Sequence, residues 1–507
     1  MAAVSAGVAG ERTAAVPTHP KAVPIAVGAL GLGLLAQLLF FDVGLGINFP
    51  IAIAALLLAG WLAGGRDLRG LRPADAWMPV AALVFASFVA IRGDRTLVTL
   101  DVLGSLTLAA ASVAAFGGLR VVERPLGGVL VLAGRIIGSA AGRSGAILGT
   151  VTRQLPATGG RASLGPWAGV ARGLLIALPL VLLFVALFSA ADAVFAEWTE
   201  RLTDWHLDLG GFIGRTMLAL GVAWVAAGLM GFAARPGEDR TEAELAGAWG
   251  RRPRIGSTEI ITVLVAIGVV FAAFVALQAT YLFGGRDTLA ETGLTYAEYA
   301  RRGFFELLTV AFLVGGLVLA AESFVRARTL AYRVALIGLV VMTLVVLASA
   351  FLRLRLYQDA YGWTELRFYV MAAIFWLAIG AVMAMATNLA NRSGWLVHGL
   401  VVLSVVFGLA FNVIGPVRFV AEQNVTRART QFEATRRLEF DGEYLLHLGS
   451  DAVPHVIRGF ADISMPPSVL DRLIDTMAAS SGLDDPGNGT WQAWNLSREN
   501  AREQLGR

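Results

Sequence analysis

The sequence predicts an all-α fold: a polytopic transmembrane helical bundle of about 11 spans, followed by a small all-helical C-terminal soluble domain. Of the 507 residues, 56% are hydrophobic and 15% are charged, whereas about a quarter of an ordinary soluble domain is charged. The mean hydropathy is +0.67. Apolar segments long enough to cross a bilayer recur as far as residue 415 and then stop.

The composition excludes several classes of function. The chain has no cysteine, which excludes disulfide bonds, thiolate metal sites and cysteine nucleophiles. Lys21 is the only lysine, so the sequence has no phosphate-binding Gly-Lys loop. The net charge of +4 comes from arginines between apolar segments, and such basic loops orient membrane proteins. We therefore predict no nucleic-acid partner, no cofactor, no metal site and no catalytic residue.

The chain divides into five parts. Residues 1–22 are small and polar, without the pattern of a removable signal peptide, and we predict a disordered cytoplasmic tail. Residues 23–118 hold transmembrane helices 1–4, 119–167 form a basic loop, 168–416 hold transmembrane helices 5–11, and 417–507 form the C-terminal domain. The predicted spans are 23–41, 48–64, 76–91, 97–117, 168–190, 210–234, 259–282, 303–325, 330–351, 368–386 and 395–415.

The segment 76–91 leaves the span count open. It is near the short limit for a transmembrane helix, and it is also compatible with half of a re-entrant hairpin that turns at Gly93 and Asp94. Counts of 10 or 12 therefore stand beside 11. An even count would reverse the side of the C-terminal domain.

Arginine and lysine in the loops predict the orientation. With the N-terminus inside, the inner segments hold twenty of these residues and the outer loops hold nine. The positive-inside rule then predicts a cytoplasmic N-terminus and, after eleven crossings, an extracytoplasmic C-terminal domain. Arginine in place of lysine, with abundant Ala, Gly and Val, is typical of a GC-rich bacterial genome, so we predict the bacterial cytoplasmic (inner) membrane.

The basic loop 119–167 has two interpretations. Its apolar stretches are interrupted by Arg135, Arg143 and Arg153, a pattern typical of an interfacial helix attracted to anionic lipid. A glycine-rich connector is equally consistent with the sequence.

Helix-start signals return in the C-terminal domain, before 443–448, 452–460 and 469–477. Apolar residues recur there at helical spacing and predict a short amphipathic helix. We expect Trp491, Trp494, Leu496 and Leu505 to close a small core with this helix.

Several stretches carry a family resemblance. They are FSAADAVF at 188–195, YARRGFFEL at 299–307, YGWTELR at 361–367, FDGEYL at 440–445 and SDAVP at 450–454. The chain resembles, from about the fifth span to the C-terminal domain, a family of multi-pass bacterial inner-membrane proteins described only as a domain of unknown function. The resemblance implies many membrane helices and supplies no substrate or catalytic residue. On the predicted topology every one of these stretches lies at the outer face.

The candidate site is a charged outer pocket between the eighth, ninth and tenth spans. Glu306 falls one turn inside the eighth span, where a carboxylate is costly unless it is neutral or paired. Arginine forks nearby suit an anionic headgroup or an envelope precursor. An ion pair of Glu306 with Arg302 and ordinary anchoring of helix ends explain the same residues. The pocket residues are Glu306, Arg302, Arg353, Arg355, Glu365 and Arg367.

Other polar residues in the spans have structural interpretations. We expect Asn388 and Asn412 to form hydrogen bonds within the bundle, and Glu322 to pair with Arg326 one turn later. Asp101, early in the fourth span, is a weaker candidate for function.

Three functions are compatible with the predicted architecture. The first is a non-enzymatic accessory or sensing component of the bacterial envelope, whose outer face engages an envelope or membrane protein partner as well as the lipid bilayer. The alternative is a secondary transporter, although few polar residues lie at mid-membrane depth. The third is a membrane-embedded enzyme on lipid-linked substrates, and the sequence favours an enzyme least.

Overall fold

The structure is a computed structural model. It describes residues 21–65, 72–119, 121–122, 126–154, 209–234, 256–283, 304–325, 327–392, 394–435, 442–460 and 467–506, and all regular elements within these ranges are helical. The α-helices are α1 (Ala22–Phe40), α2 (Asn48–Gly64), α3 (Trp77–Val89), α4 (Arg95–Phe116), α5 (Leu126–Gln154), α6 (Leu209–Ala233), α7 (Ser257–Phe283), α8 (Phe304–Phe324), α9 (Leu330–Tyr361), α10 (Glu365–Leu389), α11 (Gly394–Ile414), α12 (Pro416–Thr435), α13 (Gly442–Leu446), α14 (Val453–Phe460), α15 (Pro467–Ser480) and α16 (Leu496–Leu505).

Eight of the described helices are long and apolar enough to cross a membrane: α1, α4 and α6 to α11. Helices α2 and α3 are apolar but shorter. Large apolar side chains point outward from the long helices, as Leu34 and Phe312 do with 61% and 65% of their surface exposed. Such surfaces require lipid rather than water, and these helices are those of a multi-pass membrane protein. The predicted fifth span, 168–190, lies outside the described residues, and the count of eleven stays a prediction.

The first half of the bundle packs tightly through small residues. Helices α1 and α6 run antiparallel, with Gly28 beside Met230 and Gly33 beside Ala219. A Cβ atom at Gly33 would lie 2.2 Å from the carbonyl oxygen of Ala219, so only glycine allows this approach. Membrane helices commonly pack in this way, because the lipid gives no hydrophobic drive for helices to associate.

Helix α5 occupies most of the predicted basic loop. Its Leu132, Ile136 and Ile147 pack against α4, α6 and α1, and the guanidinium groups of Arg135 and Arg143 lie over the ring of Phe232. Residues 126–154 are therefore helical and not an irregular connector. That this helix lies at the interface against anionic lipid stays a prediction.

The second half of the bundle has its own core, formed by α7 to α10 together with Leu396 of α11. Helix α9 contributes its most buried side chains, among them Leu336, Leu339 and Leu354, all fully buried. This helix has 32 residues, which is about 48 Å of length at 1.5 Å per residue. It exceeds the hydrocarbon core of about 30 Å, so the turns that carry Arg353 and Arg355 extend beyond the predicted span 330–351.

Helices α12 to α16, which we call the C-terminal helices, share a smaller core that includes Val420, Leu445, Val456 and Met477. The predicted starts of α13, α14 and α15 agree with the structure, whereas α12 was not predicted because it lacks a long apolar run. Of the four residues expected to close this core, only Leu505 lies in it. The expectation is wrong for Trp491, Trp494 and Leu496, which are 62%, 42% and 39% exposed.

The helix-connecting loops define the two ends of the bundle. The loops α1–α2, α3–α4 and α9–α10 all bond to the C-terminal helices, and we call this the C-terminal end. At the opposite end, Lys21 Nζ donates to the carbonyl of Ala63 and Ser257 Oγ donates to the carbonyl of Ala327. The first described residue and the C-terminal helices therefore lie at opposite ends of the bundle.

Candidate functional site at the junction of the bundle and the C-terminal helices

The loop between α3 and α4 forms the centre of the junction. Asp451 Oδ2, just before α14, accepts hydrogen bonds from the backbone N–H groups of Gly93 and Asp94, both at 2.9 Å. Asn495 Nδ2 donates to the carbonyls of Val89 and Arg92, both at 2.9 Å. The last helix of the chain thus holds the turn that precedes α4.

Two glycine positions in this contact require the absence of a side chain. A Cβ atom at Gly93 would lie 1.8 Å from Ser450 Oγ, and one at Gly46 would lie 2.4 Å from the carbonyl oxygen of Trp494. The α1–α2 loop approaches equally closely, since the N–H of Ile47 donates to the carbonyl of Trp494 at 3.0 Å.

The α9–α10 loop provides the third contact. Asn424 of α12 forms two hydrogen bonds with the backbone of Trp363, at 2.9 Å and 2.8 Å. The backbone N–H of Glu365 donates to the hydroxyl of Tyr444 at 2.9 Å, and burial raises the pKa of Tyr444 to about 12. Each of the three loops is therefore fixed to a different part of the C-terminal helices.

Asp94 links the junction to the membrane helices. Its Oδ1 caps α4 by accepting from the N–H groups of Thr96 and Leu97, and its Oδ2 accepts from the hydroxyl of Tyr369 on α10. The side chain is 2% exposed. Burial raises the pKa of Asp94 above its usual range, and the nearby Asp451 adds to the shift, while the hydrogen bond from Leu97 opposes it.

A buried polar pair lies one to two turns deeper. Asn412 Nδ2 on α11 donates to Asp101 Oδ1 on α4 at 2.7 Å, and both residues are fully buried. Arg92 donates to the carbonyl oxygen of Asn412. The predicted hydrogen bond of Asn412 within the bundle is confirmed, with Asp101 as its partner.

A groove of about 740 Å³ opens between α4, α8, α10 and α11. Asp101 and Tyr369 lie on its wall, and the rest of the lining is almost entirely apolar. The side chains that form most of this wall include Leu100, Leu103, Phe312, Trp376, Val405 and Phe411.

A polar cavity of about 410 Å³ lies beside the groove, at the C-terminal end of the bundle. Thr96 and Glu365 line this cavity, whereas Leu100 and Tyr369, four residues later on the same two helices, line the groove. Four residues are about one helical turn, or roughly 6 Å. The C-terminal helices supply the facing wall, through His447 and Ser480. The two cavities are thus neighbours along both α4 and α10.

A second polar cluster lies at the opposite end. Glu322 Oε1 accepts hydrogen bonds from the hydroxyl of Tyr332 and from Asn388 Nδ2, and Glu322 Oε2 lies 3.2 Å from Arg328 NH2. The interhelical bond of Asn388 is confirmed. The described ion pair of Glu322 is with Arg328, and the expected partner Arg326 lies outside the described residues. Since three helix ends meet here, the cluster fixes their packing.

The six residues of the predicted charged pocket have different surroundings. Arg302 lies outside the described residues, Glu306 is exposed on the first turn of α8, and Arg355 is exposed on α9. Arg367 donates to the carbonyls of Tyr361 and Gly362, so it caps the end of α9.

Glu365 lines the polar cavity, while Arg353 lies part-buried on α9. The pocket as a set stays a prediction. The sequence did not indicate Arg95, Thr96 or His447 as site residues, and it marked Asp451 only as part of the motif at 450–454. Their proximity depends on contacts between residues more than 300 positions apart.

Within the described ranges, no three His, Asp or Glu side chains lie close enough together to hold a metal ion.

His455 Nδ1 lies 2.9 Å from Glu422 Oε1. Burial lowers the pKa of His455, although Glu422 acts in the opposite direction; the charges of Arg458 and Arg418 lower it further.

Comparison with known proteins gives a family and no activity. Neither the curated proteins nor the solved structures contain a match to this chain. A family model described as "Domain of unknown function (DUF4153)" matches residues 78–459, which run from α3 to α14 and include the groove and most of the junction. The match begins earlier than the sequence motifs indicated, since it takes in α3 and α4. The chain therefore belongs to the DUF4153 family of domains of unknown function.

Proposed function

We propose that this protein is a non-enzymatic accessory or sensing component of the bacterial envelope, with its functional face at the C-terminal end of the bundle. One observation carries the proposal: three helix-connecting loops and the C-terminal helices bond to one another to form a single assembly at that end. A component bound to the C-terminal helices would act directly on the starts of α4 and α10.

The hydrogen bonds of the acidic groups support a non-enzymatic role. Asp451 and Asp94 accept hydrogen bonds from backbone N–H groups, which is how carboxylates hold loops and cap helices. These carboxylate oxygens are engaged in hydrogen bonds that hold the α3–α4 loop and the start of α4.

The arginine distribution supports a location in the bacterial cytoplasmic membrane with the C-terminal helices outside. At the opposite end, Arg135 and Arg143 place positive charge on α5, and we propose that this helix lies against anionic lipid on the cytoplasmic side. The exposed Trp491 and Trp494 suit the extracytoplasmic interface of the cytoplasmic membrane, because tryptophan is enriched at membrane–water interfaces. The partners are the lipid bilayer and an envelope or membrane protein at the outer face.

Cysteine labelling tests the orientation, because the chain has no native cysteine. Ala479 on α15 and Ala327 in the α8–α9 loop are both exposed and lie at opposite ends of the bundle, so Ala479→Cys and Ala327→Cys form a matched pair. We expect a membrane-impermeant thiol reagent to label Ala479→Cys in intact cells and Ala327→Cys only after lysis. The reverse pattern would place the functional face in the cytoplasm and overturn this part of the proposal.

A second candidate function is an enzyme that acts on lipid-linked substrates. The specific observation in its favour is that an apolar groove lies beside a polar cavity. The apolar wall of the groove suits a hydrocarbon chain, whereas a transporter of polar solutes would need a polar wall. Glu365 is the carboxylate that an enzyme would use there. Turnover of a lipid-linked substrate by the purified protein, lost in Glu365→Gln, would favour the enzyme over the sensing component.

A further inference from the structure

We infer that the junction binds a zwitterionic phospholipid with an ammonium-bearing headgroup, with an acyl chain in the groove and the headgroup in the polar cavity. The inference deepens the proposed function by naming the ligand of the junction, and it rests on that function only in placing the junction at a membrane face.

The shape of the site follows the shape of such a lipid. The groove is apolar along nearly its whole wall, and its volume of about 740 Å³ falls within the usual range for ligand pockets of about 300 to 1,000 Å³. At the depth of the membrane helices, hydrocarbon chains are the surrounding medium. The polar cavity begins one turn nearer the C-terminal end, where a headgroup would lie.

The charges of the polar cavity select the headgroup. Glu365 and Arg95 both line it, and in the part of the chain that the structure describes they form no ion pair with each other. An acid and a base that face one cavity without pairing are the complement of a zwitterion. The ammonium group would lie against the Glu365 carboxylate, and the phosphate against the Arg95 guanidinium, whose fork suits phosphate oxygens.

An anionic phospholipid fits this arrangement less well. It would place its negative charge near Glu365 and the buried Asp94, without a second described arginine in the lining of the cavity. The occupant we infer is therefore an ethanolamine-type phospholipid rather than a glycerol-type one.

Four variants of the full-length chain separate the steps of this argument. Gly104→Leu fills the groove, since a Cβ at Gly104 meets only Phe85, at 3.9 Å, and Ala373→Leu fills it from α10. Gly31→Leu is the matched control, because Gly31 is exposed on α1 with nothing within 4 Å of an added Cβ. Glu365→Gln removes the charge of the acid and keeps its shape.

The purified protein is reconstituted in nanodiscs of equal parts phosphatidylethanolamine and phosphatidylglycerol, and the lipids that remain bound after transfer to detergent are counted by native mass spectrometry. We expect wild type and Gly31→Leu to retain phosphatidylethanolamine at least fivefold over phosphatidylglycerol. Gly104→Leu and Ala373→Leu should retain neither, and Glu365→Gln should retain both about equally.

Equal retention of the two lipids by the wild-type protein, or a preference for phosphatidylglycerol, would overturn the inference, as would an unchanged preference in Glu365→Gln. Retention of a lipid-linked molecule without an ammonium group would also overturn it. Tryptophan fluorescence melting of each variant confirms that it is folded before its lipids are counted. The cysteine-labelling result is independent, so failure here and failure of the proposed orientation are distinguishable.

Discussion

The hydrogen bonds of Asp451 give the sharpest test of how the C-terminal helices are held. Asp451→Ala leaves the N–H groups of Gly93 and Asp94 without their acceptor. Hydrogen bonds to a charged group contribute about 1.5–3 kcal/mol each, and we take the lower value because Asp451 is half-buried. Two such bonds together contribute about 3 kcal/mol to the free energy of opening of the junction. Their loss should raise the equilibrium constant for opening roughly 100-fold, since about 1.4 kcal/mol corresponds to a factor of ten.

Asp451→Asn is the informative partner of this change. Its amide oxygen still accepts from both N–H groups, and the loss of charge assistance is offset by less repulsion with Asp94, so we expect less than about a tenfold change. Asp471→Ala, at an exposed position on α15, controls for the loss of a surface carboxylate.

Hydrogen–deuterium exchange of the peptide that contains the α3–α4 loop measures the opening directly. We expect fast exchange in Asp451→Ala and near wild-type exchange in the other two variants. Equal exchange in the alanine and asparagine variants, or no change in either, would refute the assignment of Asp451 as the acceptor that holds the loop.

Three further predictions follow from the contacts of the same region. Gly93→Ala should lower the free energy of opening of the junction by about 1–3 kcal/mol through overpacking, as measured by the same hydrogen–deuterium exchange. Adding Ser450→Ala should restore part of this free energy, because it removes the atom nearest to the new Cβ. Asn412→Leu should lower the melting temperature in detergent by leaving Asp101 without its donor, at about 1–3 kcal/mol, and adding Asp101→Leu should recover most of it; a double variant less stable than the single one would contradict the pairing. The pKa of His455 is lower in the folded than in the unfolded state, so the unfolded state binds the proton more readily. The free energy of unfolding should therefore fall as the pH falls through about 6.5. Hydrogen–deuterium exchange in α14 measured against pH should show this dependence in the wild-type protein and a flatter one in His455→Gln.

Local signals in the sequence predicted most of the helices. An apolar run long enough to span a bilayer needs no tertiary information, because its backbone groups must bond within the helix in a membrane. Asp94 carries a local signal of a different kind: it was predicted only as a turn residue, and its side chain caps the helix that begins at the next residue. Helix α12 was missed because its surface is polar and its stability comes from packing against α14 and the α9–α10 loop.

The candidate site could not be predicted in the same way. Asp451 and Gly93 are 358 residues apart in sequence, and no pattern within either segment indicates the other. Glu365 was identified as a candidate from its charge on a predicted outer loop, but its neighbours in the polar cavity come from the start of α4 and from the C-terminal helices. Of the residues that line this cavity, the sequence therefore identified only Glu365 as a site candidate, and the others are brought to it by the fold.

The two-sided wall of the polar cavity has a thermodynamic consequence for the proposed sensing role. Arg95 and Glu365 belong to the bundle, whereas His447 and Ser480 belong to the C-terminal helices. A ligand that contacts both sides binds the docked arrangement more tightly than the open one, and by linkage it favours docking in proportion to that difference. Asp94 joins the same junction to α4 and α10, so we expect a ligand bound in the cavity to affect the arrangement of these two helices as well. Under the proposed function, this linkage is how the junction would respond to its surrounding lipid.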